Sequence, residues 1–192
     1  MKILILNGSA RKKGNTRTAL KQIEKGIDLN SNSVEFLDIT DFKIAGCLGC
    51  DGCKRTGVCV IKDDAVGLVE KIVEVDMVIF GSPVYWWGIS SQTKALIDRI
   101  YMKNSTLPQL KKKIGVVAVG ADELSGEQYK LIKGQFDCIC EYLGWEFEVY
   151  KPISAGLIGD VEKQVGLMRE LKGVYNFWCW YLNILTPFFT FL

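Results

Sequence analysis

Residues 2–16 read KILILNGSARKKGNT, and this stretch decides the fold. Lys2–Asn7 is a short, almost wholly apolar run that stops at Gly8-Ser9. That is the pattern of a strand buried on both faces of a parallel sheet. Ala19, Leu20, Ile23 and Ile27 then recur at helical spacing, which predicts a helix over Thr16–Ile27. The same alternation continues downstream. Ser33–Ile39, Asp76–Gly81, Ile114–Gly120 and Trp145–Tyr150 predict four more strands. Ala65–Val75, Ser90–Tyr101, Ser125–Leu143 and Asp160–Lys172 predict four more helices. Thr40–Asp64 has little periodicity and is expected to be a loop. Five strands alternating with helices predict an α/β protein: a doubly wound, five-stranded parallel sheet with helices on both faces. Right-handed crossovers leave few topologies, of which the strand order 2-1-3-4-5 is a common one.

The chain of 192 residues suits one domain, expected over 1–174. Lys and Arg number 24 against 22 Asp and Glu, a net charge of +2, so no basic excess points to nucleic acid. There is no histidine. This excludes Ser-His-Asp and Cys-His catalysis, His metal ligands and an imidazole proton shuttle. Carboxylates, lysines, thiolates, backbone groups or a cofactor must carry any chemistry. The start has no signal-peptide pattern, so a cytoplasmic protein is expected. Residues 175–192, YNFWCWYLNILTPFFTFL, form an uncharged aromatic tail. It is at the short limit for a membrane span and is interrupted by Asn183, Thr186 and Pro187. Packing on its own domain or on a partner subunit is expected instead.

In such a sheet, ligands bind beyond the carboxyl ends of the strands, at the switch point. The loop Gly8–Thr16 sits there and opens a helix, so its free N–H groups suit an anion. Ser9, Asn15 and Thr16 add donors, and Arg11 adds charge. The loop is neither a Walker P-loop nor G-x-G-x-x-G. It is a phosphate cradle of hydroxyls and backbone, of the kind a flavin mononucleotide needs. The alternative is a plain helix start capped by Asn15 or Thr16. After the third strand comes Gly81-Ser82-Pro83-Val84-Tyr85-Trp86-Trp87-Gly88. Its amides can bond the edge of a planar ring, and Tyr85 or Trp86 can stack on its face. These aromatics can equally pack on a neighbouring subunit. Gly120–Leu124, after the fourth strand, can close the far side of the crevice.

Cys47, Cys50, Cys53 and Cys59 form a C-x2-C-x2-C-x5-C run inside the expected loop, at residues 46–60. Four thiolates on a short, glycine-bearing loop suit an iron–sulfur cluster or structural zinc. Reduced thiols or a disulfide pair remain the alternative. Lys54 and Arg55 can offset a cluster's charge or simply be solvated. Asp63-Asp64 is read as a helix cap. Cys138 and Cys140 lie two apart on a helix, so their side chains diverge, and burial is the expected role.

Three pieces together, Ser9-x-Arg11-x-x-Gly14-Asn15-Thr16, Gly81-Ser82-Pro83-Val84-Tyr85-Trp86 and Gln92-x-Lys94-x-x-x-Asp98-Arg99, resemble the NADPH-dependent FMN reductase family. The cysteine run resembles its iron–sulfur flavoprotein branch. The resemblance covers about residues 1–172. It implies a flavodoxin-like fold and an FMN site in which Ser9, Arg11, Asn15 and Thr16 hold the phosphate. Pro83, Val84, Tyr85 and Trp86 then line the flavin ring, and Gly120 remains a cofactor-binding candidate from its place after the fourth strand. It also implies a [4Fe-4S] cluster on the four cysteines, a homo-oligomer (dimer or tetramer) and a donor such as a ferredoxin. A plain NAD(P)H-dependent FMN or quinone reductase without a cluster is the second expectation, and a non-catalytic flavodoxin-like carrier the third.

Overall fold

A computed structural model describes the backbone of residues 1–184 and the side chains of 1–174. Five parallel strands form the sheet: β1 (Lys2–Asn7), β2 (Ser33–Asp38), β3 (Met77–Tyr85), β5 (Lys113–Gly120) and β6 (Glu146–Ser154). A two-residue strand, β4 (Gly88–Ile89), folds back antiparallel on the end of β3. The spatial order is β2-β1-β3-β5-β6. Setting β4 aside, this is the expected 2-1-3-4-5 order. The helices are α1 (Asn15–Glu24), α2 (Gly52–Thr56), α3 (Ala65–Glu74), α4 (Ser91–Ile100), α5 (Glu127–Leu143), α6 (Asp160–Lys163) and α7 (Val165–Ile184).

The central strands are buried on both faces, which is why their sequences are near-continuous apolar runs. Leu4, Leu6, Val78, Phe80 and Val116 enter one core with Leu68, Ile72 and Leu96 of the helices on that side. Ile3, Ile5, Ile79 and Val117 enter the other, with Leu20 and Ile23 of α1 and Leu171 of α7. Alternation along each strand thus splits the apolar residues between two layers. Each fully buried Leu, Ile or Val contributes roughly 1.5–3 kcal/mol.

Several boundaries differ from expectation: β6 runs to Ser154 rather than Tyr150, α1 ends at Glu24 rather than Ile27, and the expected loop Thr40–Asp64 contains α2. β3 runs four residues past Gly81, the expected end. It can do so although it carries Pro83, because β1 has ended at the level of Gly81 and the missing N–H faces no strand. The final expected helix, Asp160–Lys172, is two helices separated at Gln164. The second of these crosses the expected boundary at residue 174 without a break. The expected packing of the 175–192 tail falls outside the described side chains. Among the described residues, no helix is long and apolar enough to cross a membrane.

Candidate functional site

The register places Asn7, Asp38, Gly81, Gly120 and Ser154 at one edge of the sheet. A cavity of about 210 Å³ opens there. Its walls are Ser9, Arg11, Gly14, Asn15 and Thr16 on one side, and Pro83, Val84 and Tyr85 on another. Val119–Ala121 and the segment after β6, at Ala155, Gly156 and Ile158, complete it. The cavity therefore lies at the switch point between β1 and β3, where the topology predicts a ligand.

The first wall is built by Asn7, which is fully buried. Its amide donates to Asp38 (2.7 Å) and its side-chain oxygen accepts from Ser9 N (3.2 Å). Ser9 Oγ in turn accepts from Arg11 N (3.2 Å). Burial pushes the Asp38 carboxyl up, but Asn7, Lys12 and Arg17 outweigh it and hold the pKa below its ordinary value. The chain then reaches α1 through Gly14, which caps the helix without any side-chain bond. Neither Asn15 nor Thr16 is the cap, contrary to the alternative raised from sequence. No acidic residue occupies the first turn. The helix start is thus left open toward the cavity, as an anion requires.

Asn15 has another task. Its amide donates to Leu157 O (2.7 Å) and Ala155 O (3.3 Å), and its oxygen accepts from Gly159 N (3.1 Å). It ties the segment after β6 to the first helix, so it shapes the cavity through the far wall. Sequence reading missed this wall, although Ala155-Gly156 directly follows the last strand, where such sites are built. Gly120 is required by close approach. A Cβ there would lie 2.6 Å from Gln128 Nε2, 3.0 Å from the Tyr129 hydroxyl and 3.1 Å from Val84 Cγ2.

Tyr85 and Gly88 pair across a two-residue turn made by Trp86 and Trp87, with φ of +47° and +61°. Such turns normally carry Asn-Gly, so this hairpin was not visible in the sequence. Tyr85 lines the cavity, whereas Trp86 is not among its walls and is 91% exposed.

The cysteine loop lies elsewhere. Cys47 and Cys50 are exposed, and Cys53 and Cys59 are half-buried against the core. Left-handed backbone at Gly49, Asp51 and Gly57 coils the loop around the short α2. Gly49 N donates to Cys47 Sγ (3.4 Å), an N–H···S contact that also suits a ligand thiolate. Four thiols have the right chemistry for an iron–sulfur centre. Among the described residues, however, no three His, Cys, Asp or Glu side chains are gathered closely enough to hold a metal ion. Lys54 pairs with Asp51 at 3.0 Å and both are half-exposed, so it is solvated rather than turned inward. A roomier cavity, about 570 Å³, lies between this loop, α4 and α5 and includes Cys47 and Cys138. Cys138 is exposed and Cys140 buried, which follows from their divergence on α5. Burial raises the Cys140 thiol to about 11, so it is inert.

Asp63 is more than the expected cap. One oxygen does accept from Ala65 N (3.2 Å), but both carboxylate oxygens face Arg99, at 2.7 and 2.9 Å. Asp64 instead accepts from Lys43 N (2.7 Å), on the other stem of the loop.

The family model described as NADPH-dependent FMN reductase matches residues 1–132, more than half of the chain. The chain belongs to this family. A relative from Methanocaldococcus jannaschii named iron–sulfur flavoprotein MJ1083 is 37% identical over 129 residues, covering 67% of this chain and 66% of that protein. YwqN of Bacillus subtilis, which carries the name of an NAD(P)H-dependent FMN-containing oxidoreductase, is 28% identical over 84% of this chain and 89% of its own. The chain spans about half to two-thirds of the length of the iron–sulfur flavoproteins it matches first. Among solved structures, an NAD(P)H:quinone oxidoreductase from Methanothermobacter marburgensis superposes with a TM-score of 0.68. It covers 92% of this chain and 96% of its own at 17% identity, and so supports the family's fold.

Proposed function

We propose that this member of the family is an FMN-dependent oxidoreductase and that the cavity at the carboxyl ends of β1 and β3 receives the flavin's phosphate end. One observation carries the reading: the open start of α1, flanked by Ser9, Thr16 and Arg11, faces that cavity. The donor set suits a phosphate monoester, and the cavity without a Cβ at Gly120 suits the chain leading from it. FMN, when bound, supplies acceptance and release of electrons. The protein's own residues bind and orient. Ser9 and Thr16 hydroxyls and the first N–H groups of α1 neutralise the phosphate, Arg11 adds charge, and Pro83–Tyr85 with Gly120 set the ring side. Asn15 acts through the segment it tethers.

The test is direct. Ser9→Ala combined with Thr16→Ala removes two hydroxyl bonds to a charged group, together worth about 3 kcal/mol, or on the order of a hundredfold in Kd. Fluorescence titration of the stripped protein with FMN should show that loss while a thermal melt shows the sheet still folded. Unchanged affinity would move the phosphate elsewhere.

The second part of the reading is that Cys47, Cys50, Cys53 and Cys59 hold a [4Fe-4S] cluster. Electrons would then pass between a donor such as a ferredoxin and an acceptor, in a cytoplasmic homo-oligomer. The four-thiol loop and the name of the 37%-identical relative support it. Protein purified without oxygen should contain about four iron and four acid-labile sulfide per chain. Cys50→Ala should lose both and keep FMN. The relative named as an NAD(P)H-dependent FMN-containing oxidoreductase favours a second reading, a plain NAD(P)H-dependent FMN or quinone reductase. Flavin without iron in that preparation, reduced rapidly by NADPH, would decide for it.

A further inference from the structure

Arg99, near the end of α4, is among the most deeply buried large side chains, 1% exposed. Buried arginines are rare and need an explanation. Nη1 donates to Ala45 O (2.9 Å) and to Asp63 Oδ2 (2.7 Å). Nη2 donates to Ile61 O (3.2 Å) and to Asp63 Oδ1 (2.9 Å). Ala45 lies two residues before Cys47, and Ile61 two residues after Cys59. Asp63 Oδ2 also accepts from Ala45 N (2.8 Å). One planar fork therefore joins both stems of the cysteine loop at the floor of the core. A lysine has the charge but not the fork.

The third donor, Nε–H, is buried and makes no hydrogen bond among the described residues.

We propose that Arg99 is the positioning residue of the cysteine loop: its fork, paired with Asp63, locks the two stems at Ala45 and Ile61. The inference deepens the cluster reading and rests on it for the purpose of the loop. The lock itself is a property of the metal-free chain.

The experiment uses the full chain, treated with chelator, as wild type, Arg99→Lys and Asp63→Asn. Hydrogen–deuterium exchange over residues 45–61 should speed by about tenfold or more in both variants. Alkylation of Cys59 by iodoacetamide at neutral pH, read by mass spectrometry against Cys138, should speed about fivefold in Arg99→Lys, which keeps the positive charge. Cys138 on α5 is the internal reference. Exchange equal to wild type in both variants overturns the lock. A Cys59 rate that is unchanged or slower relative to Cys138 overturns the lock on the second stem, at Ile61. The same proteins are then given iron and sulfide. Loss of iron uptake in Arg99→Lys with FMN retained supports the proposal in the loaded state. A wild-type chain that takes up no iron removes the cluster reading alone, and exchange and alkylation still decide the lock.

Discussion

Asp63→Ala is expected to lower the unfolding free energy by about 3–5 kcal/mol, the cost of stranding a buried charge by removing its partner. Arg99 has no second carboxylate among its hydrogen-bond partners, which are otherwise the carbonyls of Ala45 and Ile61. A domain of this size has roughly 5–15 kcal/mol in all, so the variant approaches the threshold of folding. Urea denaturation at neutral pH measures it. The pH dependence supplies a second check. Burial pushes the Asp63 carboxyl up, but Arg99 and the Ala45 N–H outweigh it and hold the pKa below its ordinary value. A depressed carboxylate contributes stability that is complete above its unfolded pKa of about 4 and is lost as pH falls through the folded value. The gap between wild type and variant should therefore narrow as pH falls below that unfolded value and through the lower folded one. A gap that persists undiminished in acid would show that the carboxylate's charge is not its source.

Gly120→Val should cost at least about a hundredfold in FMN affinity, or 2.7 kcal/mol. The new Cβ meets three neighbours of unequal freedom. Gln128 Nε2, at 2.6 Å, is the end of a flexible side chain and can swing away. The Tyr129 hydroxyl, at 3.0 Å, is fixed by the carbonyls of Asp122 (3.2 Å) and Ile153 (3.0 Å). Val84, at 3.1 Å, is itself a wall of the cavity. Relief therefore comes from moving Val84 and Gln128, and the valine methyls take space from a cavity of only about 210 Å³. Overpacking costs about 1–3 kcal/mol of stability, which the fold withstands. Equilibrium dialysis with FMN, beside a thermal melt, separates the two effects. Full affinity in a folded variant would exclude this wall from the flavin site.

The strands were legible because burial on both faces leaves no polar residue to break the apolar runs at Lys2–Asn7, Met77–Phe80 and Ile114–Val119. Alternation with helices then restricted the order. The phosphate loop was legible because Gly8 and Gly14 bracket small polar residues at the first crossover. The rest depended on contacts distant in sequence. Arg99 and Asp63 are 36 residues apart, and nothing local to either motif names the other as its partner. Asn15 reads as a ligand, and its added hydrogen bonds from Gly159 and Val161, more than 140 residues later, were not legible. The Trp86-Trp87 turn was hidden because its backbone is imposed by β3 and β4 rather than by residues that prefer it. It is held with two tryptophans where the left-handed region is unfavourable. Among the described residues the four cysteines are not gathered to hold a metal ion, a geometry that their spacing alone does not carry.

The tether from Asn15 has a consequence for how the holoprotein comes into being. A ribosome delivers the phosphate loop first and Ala155–Gly159 more than a hundred residues later. Until that late segment emerges and is caught by the first helix, the crevice lacks a wall. At about 5–20 residues per second, that interval is on the order of ten seconds. A nascent chain without that wall is expected to hold flavin only weakly, so cofactor loading should report the completed topology.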